Sequence, residues 1–205
     1  MHKSWKKVTS WIDKKPSNVS ISKRLLAYII DWCLGGIITG FPAVFIYSAV
    51  TKKADMFSNL YVFASLGYSN GWAYLACSLC FIAALIYYVY IPYKKYNGQT
   101  IGKHLVKIKI VKTDYSDIDL KTLLIRQIIG LMVIEGAAIV MTSYLIQLLT
   151  LVTGFYFEYY LGIAGRILTI VSGILVLSTL SHRAIHDYIS GTTVVSENLC
   201  TKCEK

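Results

Sequence analysis

Residues 24–50 read RLLAYIIDWCLGGIITGFPAVFIYSAV, an apolar run with one carboxylate, Asp31, inside it. A helix needs about 20 apolar residues to cross about 30 Å of hydrocarbon, and this run exceeds that. A carboxylate at such depth costs roughly 2.5–3.5 kcal/mol on insertion scales, so it persists only where something satisfies it. The run therefore decides the fold class, and Asp31 poses the functional question. Three more apolar runs follow, and the predicted spans are about 25–50, 72–92, 123–154 and 161–181. The first and third are long, so tilt, a kink or an interfacial end is expected. Pro42, close to Gly40, offers the first span a kink. The expected architecture is an all-α membrane protein, a bundle of four transmembrane helices.

Composition agrees. Of the 205 residues 55% are hydrophobic and 16% charged, and the mean hydropathy is +0.53. Soluble domains carry about 25% charged residues. Net charge is +10. In a soluble protein that balance would suggest nucleic acid. Here the basic residues flank apolar runs, so they read as topology signals facing an anionic inner leaflet, and no nucleic-acid partner is expected.

Lys and Arg orient the spans. Residues 1–24 carry Lys3, Lys6, Lys7, Lys14, Lys15, Lys23 and Arg24, and residues 93–126 carry eight more, whereas 51–71 hold only Lys52 and Lys53. Both termini and the middle loop are therefore expected on the cytoplasmic side of the cell membrane. The first apolar run is too long and starts too late for a cleavable signal. The sequon Asn18-Val19-Ser20 falls on the cytoplasmic side and reads as chance. Tyr87, Tyr88, Tyr90 and Tyr93 at one end, and the cluster around Phe155 and Tyr160 at the other, read as interfacial belts.

Outside the spans the chain divides into a basic N-terminus (1–20), a membrane domain (21–196) and a short tail (197–205). Residues 4–15 place Trp5, Val8 and Ile12 on one side of a short helix, or else form a frayed basic tail. In the middle loop, Asn97-Gly98 has turn chemistry. Val106, Ile108 and Ile110 alternate with Lys107 and Lys109, which predicts a strand. Asp117 or Asp119 then caps a helix running through Arg126. Gly191–Ser196, GTTVVS, is a second strand candidate, so a small cytoplasmic β-hairpin-like element is expected. No internal repeat is visible, so an inverted-repeat transporter plan has no support.

Arg24 and Asp31 lie about two helical turns apart, roughly 10 Å along the axis, too far for a direct bond. Partners are expected from the inner ends of the third and fourth spans, where Arg126, His182, Arg183, His186 and Asp187 gather. One buried ionic cluster is the expectation. Glu135, nine residues beyond Arg126, falls on roughly the opposite face of an α-helix near mid-membrane. It is expected either to face the bundle interior or to stay protonated. Gly36-x-x-x-Gly40 offers a close-packing face within the chain or in a dimer.

Four segments, RLLAYIID, NGQTIGKHLVKIKIV, LLIRQIIG and HRAIHDYISGTTVV, together resemble the RDD family of small multi-pass membrane proteins. Arg24, Asp31 and Asp187 match the arginine and two aspartates that name it. The resemblance also marks Gly98, Thr100, Gly102, Lys103, Gly191 and Thr192 as structural motif positions. It implies that the chain exchanges monovalent cations for protons, as is proposed for some members. Arg24, Asp31, Arg126, His186, Asp187 and Glu135 are then the ion path or buried charge cluster. The alternative is a non-transporting scaffold that recruits a partner or lipid through its cytoplasmic loop. Glu135 and the Cys200-Thr-Lys-Cys203 tail fall outside the family pattern.

Other motifs fail. GQTIGKH is one residue short of a P-loop, and HRAIH lacks the zincin glutamate. Cys77-x-x-Cys80 reads as packing, and Cys200 with Cys203 supplies two of the four ligands that a structural zinc needs. No catalytic arrangement, metal site or cofactor motif is recognisable, so the expectation is a protein that is not an enzyme. Four spans leave little room for a translocation path, so transport would also call for a homo-oligomer.

Overall fold

The computed structural model describes residues 16–136 and 139–197. The expected N-terminal helix over 4–15 and the Cys200–Cys203 tail lie outside these residues. The first run forms one helix, α1 (Ile21–Thr51), whose first turn is capped by the Ser20 hydroxyl accepting from the Lys23 amide; Pro42 lies within it. After a short α2 (Val62–Ser65), α3 (Asn70–Leu85) begins at the Ser69 cap and runs on as a π-helix over Ile86–Lys95. The chain then forms α4 (Ile101–Val106) and β1 (Ile108–Lys112). Next comes α5 (Leu120–Leu124), which runs on as a π-helix over Ile125–Ile134, followed by α6 (Val140–Thr153) and α7 (Glu158–Ser178). The last elements are α8 (Ile185–Ile189) and β2 (Thr192–Ser196).

Three helices, Ile21–Thr51, Asn70–Lys95 and Glu158–Ser178, are long and apolar enough to cross a membrane. Their outward faces carry large apolar side chains, among them Ile37, Phe41 and Phe45 of α1 and Ile167, Ile170 and Leu177 of α7. Only 6% of the apolar window of α7 is buried. Helices with this much uncovered apolar surface belong in lipid. The run expected as one span over 123–154 is instead two pieces, a π-helix ending at Ile134 and α6 starting at Val140, with the interruption at Glu135-Gly136. At the break the Glu135 carboxylate accepts from the His186 amide of α8, and the Thr142 hydroxyl donates to the Met132 carbonyl at 2.7 Å.

Two cores divide the bundle. One packs α1, α3 and α6 around Ala43, Tyr47, Phe63, Cys77 and Cys80, closed at its far end by the Tyr47, Phe57, Phe63 and Tyr144 rings. Cys77 and Cys80 are packing residues there, as expected. Val140 lies 3.8 Å and 3.6 Å from where a Cβ would stand on Gly36 and Gly40, so this small-residue face is used within the chain against α6. The second core joins Ala27 and Val89 to Ile108, Ile110, Leu123 and Val194 beneath the bundle. There β1 and β2 pair antiparallel, Ile108 opposite Ser196 and Lys112 opposite Thr192.

The predicted strand start is corrected. Val106 closes α4, and the strand begins at Ile108. Thr100 caps α4 by accepting from the Lys103 amide, and that capping overrides the two-residue alternation. Asp119, not Asp117, caps α5; Asp117 pairs with Lys109 at 2.7 Å.

Candidate functional site: two buried carboxylate assemblies and the cavity between them

Asp31 is 6% exposed and faces α4. Oδ1 accepts from the Gly102 amide at 2.9 Å and the Tyr87 hydroxyl at 3.0 Å. Oδ2 accepts from the Thr100 hydroxyl and from Lys103 Nζ at 3.3 Å. Both oxygens are thus saturated, mainly by neutral donors. Local sequence explains the geometry. The Asn97-Gly98 turn, with both residues at positive φ, reverses the chain after the π-helix. Thr100 and Gly102 then bring the first turn of α4 onto α1. A Cβ on Gly102 would stand 2.5 Å from the Ala27 carbonyl and 2.8 Å from Asp31 Cγ, so only glycine permits this approach. Asp31 therefore caps a helix from another part of the chain, satisfying an amide that would otherwise lack a partner.

Asp187, 2% exposed, is the second assembly. Oδ1 takes Arg126 Nη2 at 2.5 Å and the Thr192 hydroxyl at 3.3 Å; Oδ2 takes the Ala184 amide at 3.1 Å, with Arg24 Nη1 at 3.9 Å. Burial pushes this carboxyl's pKa up, but the Arg126, His186 and Arg24 charges and the Ala184 amide outweigh it and hold the group well below the usual carboxylate range. Arg24 donates hydrogen bonds to the chain's far end, at 2.6 Å to the His182 carbonyl, 2.9 Å to the Val194 carbonyl and 3.4 Å to the Ser181 carbonyl, and locally at 3.2 Å to the Ser17 hydroxyl. Arg183 reaches the Thr192 and Asp187 carbonyls, while His182 Nδ1 faces the Val176 carbonyl at 2.7 Å.

Glu135 joins this second assembly from the helix break. Oε1 accepts from the His186 amide at 2.6 Å, and Oε2 faces His186 Nδ1 at 2.9 Å. The expected opposition of Glu135 and Arg126 is corrected: both reach α8, one through His186 and one through Asp187. The wider turn of the π-helix over Ile125–Ile134 is the reason, since nine residues come close to two such turns. Gly130, on the same face, lets α8 approach: a Cβ there would stand 2.6 Å from His186 Cβ.

The single cluster expected from sequence is thus two assemblies. Arg24, Arg126, Asp187, His186 and Glu135 come together; Asp31 bonds to Tyr87, Thr100, Gly102 and Lys103 instead. Tyr87, expected in an interfacial belt, is a core residue. It is 1% exposed, with Tyr88 beside it, while Tyr90 and Tyr93 face outward. Nothing in the sequence marks Tyr87 as a partner of Asp31; it lies at the start of the π-helix that continues α3. Gly191 turns the chain at positive φ into β2, and Thr192 carries the Asp187 bond.

Both assemblies line one cavity of about 450 Å³, shared by Arg24, Asp31, Lys103, Arg126, Glu135 and His186 on its polar side. Its apolar side includes Leu25, Tyr28 and Trp32 of α1 and Val176 and Leu177 of α7. Among the described residues no group of three or more His, Cys, Asp or Glu is arranged to hold a metal ion.

Long apolar helices with lipid-facing flanks, fastened at one end by buried ion pairs and a two-stranded sheet, define a multi-pass integral membrane protein. The family model described as RDD family matches residues 19–191, and the chain belongs to that family. No curated protein and no solved structure matches it.

Proposed function

We propose that this chain crosses the cell membrane four times, with α5, its π-helical extension and α6 as a broken third crossing, and exchanges monovalent cations for protons at Glu135. Both termini lie in the cytoplasm beside an anionic leaflet, and the role is non-enzymatic. The observation that carries this reading is Glu135 itself, a carboxylate 8% exposed at a helix interruption, on the charged side of the cavity wall. Irregular backbone at membrane depth is tolerated where it lines a cavity, and intramembrane carboxylates commonly mark ion paths. The side-chain partner of Glu135 is the His186 imidazole, so a change at this carboxylate breaks no guanidinium pair. Asp31, Arg24 and Asp187 then serve as the frame that holds the cavity. A homo-oligomer would complete the path.

The test is flux in proteoliposomes. A pH gradient should dissipate on adding sodium, potassium or lithium, and Glu135→Gln should abolish the response. Wild-type dissipation equal to that of the variant would remove the exchange reading. The second reading is a non-transporting scaffold working through the α4–β1 segment. The saturation of Asp31 by α4 favours it, because that carboxylate is spent on anchoring a loop. Under that reading no cation at any gradient raises flux above that of empty liposomes.

A further inference from the structure

The two arginines of the cavity carry more donors than the protein uses. Arg126 Nε and Nη1 and Arg24 Nε are buried without a hydrogen-bond partner among the described residues. The Arg126 side chain is 3% exposed and the Arg24 side chain 10%. A buried guanidinium with unused N–H groups is costly, and a native protein normally supplies the missing acceptor. The carboxylates nearby do not supply it. Asp31 accepts from four donors, Asp187 from Arg126 Nη2, Thr192 and Ala184, and Glu135 from His186, none of them an unused guanidinium N–H. Across the cavity Arg24, Lys103 and Arg126 balance Asp31, Glu135 and Asp187, with His186 as a further cation when protonated. What is lacking is an acceptor, and guanidinium forks match phosphate oxygens well.

The other side of the cavity says how that acceptor arrives. Between α1 and α7 the wall is apolar, and Leu25, Trp32 and Leu177 are 56%, 50% and 65% exposed on the flank that faces lipid. Gly173 of α7 also lines it, and a Cβ there would meet nothing within 4 Å. Arg24 lies in the first turn of α1, at interface level, and Trp32 lies about 12 Å deeper along the helix. The polar end and the apolar flank thus follow the order of a phospholipid, phosphate first and acyl chain below. We infer that this cavity seats an anionic phospholipid, its phosphate on the unused donors of Arg126 and Arg24 and its upper acyl chain between α1 and α7. The volume, about 450 Å³, lies within the range of small-ligand pockets and suits a headgroup rather than a whole lipid. The inference is independent of cation exchange, because it rests on the arginines and the α1–α7 flank rather than on Glu135.

The full-length protein in mild detergent should be titrated with phosphatidylglycerol, phosphatidylcholine and inorganic phosphate, with bound lipid counted by native mass spectrometry and stability followed by thermal melting. Phosphatidylglycerol should be retained about tenfold more tightly than phosphatidylcholine and should raise the melting temperature, as any ligand of the native state does. Gly173→Phe adds a ring at the apolar mouth, its Cβ meeting nothing within 4 Å, and should weaken phosphatidylglycerol binding by about tenfold, while its helical circular dichroism stays that of wild type. Arg126→Gln should remove the headgroup preference; because it also unpairs Asp187, the Gly173 variant carries the test where this one fails to fold. Equal retention of the two lipids would overturn the inference. So would stabilisation by inorganic phosphate alone, or a Gly173→Phe protein that binds phosphatidylglycerol like wild type.

Discussion

Asp31 and Asp187 are buried to a similar degree at the same end of the bundle, yet they are satisfied in opposite ways. Asp187 is held chiefly by charge, with Arg126 at 2.5 Å and Arg24 nearby. Asp31 is held by an amide and two hydroxyls, with Lys103 as its one cationic partner. The first arrangement neutralises a cation that would otherwise be stranded. The second fastens a segment, because its donors come from the first turn of α4. A buried carboxylate in a membrane protein is therefore not one kind of feature; the donor set tells which task it performs.

Substitutions can break or sharpen this contrast. Arg126→Gln leaves Asp187 without its closest countercharge and should cost about 3–5 kcal/mol, the usual result of halving a buried pair. Thermal denaturation in detergent would read it, and a smaller loss than for Asp31→Asn would break the distinction. Acid should act on the same pair. The folded pKa of Asp187 is depressed below its unfolded value, so its stabilisation is complete above about pH 4 and is lost as pH falls through the lower folded value. Melting temperatures followed downward from pH 7 should therefore hold until well into the acid range and then drop, and the drop should be absent in Asp187→Asn.

At the other assembly, Gly102→Ala pushes a methyl against the Ala27 carbonyl and should cost about 1–3 kcal/mol. It should also free α4, so hydrogen exchange at 101–106 rises while the β1–β2 amides stay protected. Exchange that rises equally in both would mean that Asp31 fastens the β1–β2 sheet as well as α4. The smallest effect belongs to Lys109→Met, which removes the pair with Asp117. Lys109 holds that carboxyl's pKa below its usual value, but the Asp117 side chain is 61% exposed, so the loss should stay under about 1 kcal/mol.

Much of this was legible in the sequence. Apolar run lengths located the three long apolar helices because hydrocarbon thickness sets them, but they did not show that the 123–154 run is broken at Glu135. Arg24, Arg126, His186 and Asp187 were grouped correctly because each sits at the same end of its run. The partners of Asp31 were not legible, since Tyr87 and Gly102 carry no charge and are brought to it only by a π-helix, a turn and a glycine contact. Glu135 was placed on the wrong face because residue spacing was converted to angle with the α-helical period. Val106 was read into a strand although Thr100, a capping residue, marked a helix start six residues earlier. In each case a local departure from regular geometry, driven by a polar group seeking a partner, was invisible to periodicity.

The bonds from Arg24 to His182 and Val194 reach across 158 and 170 positions of the chain. During synthesis the first helix enters the bilayer while those carbonyls do not yet exist, and domains emerge N-terminal first. Until the chain is complete, Ser17 is the one acceptor of those named for Arg24 that has been made, and the finished bundle buries this guanidinium.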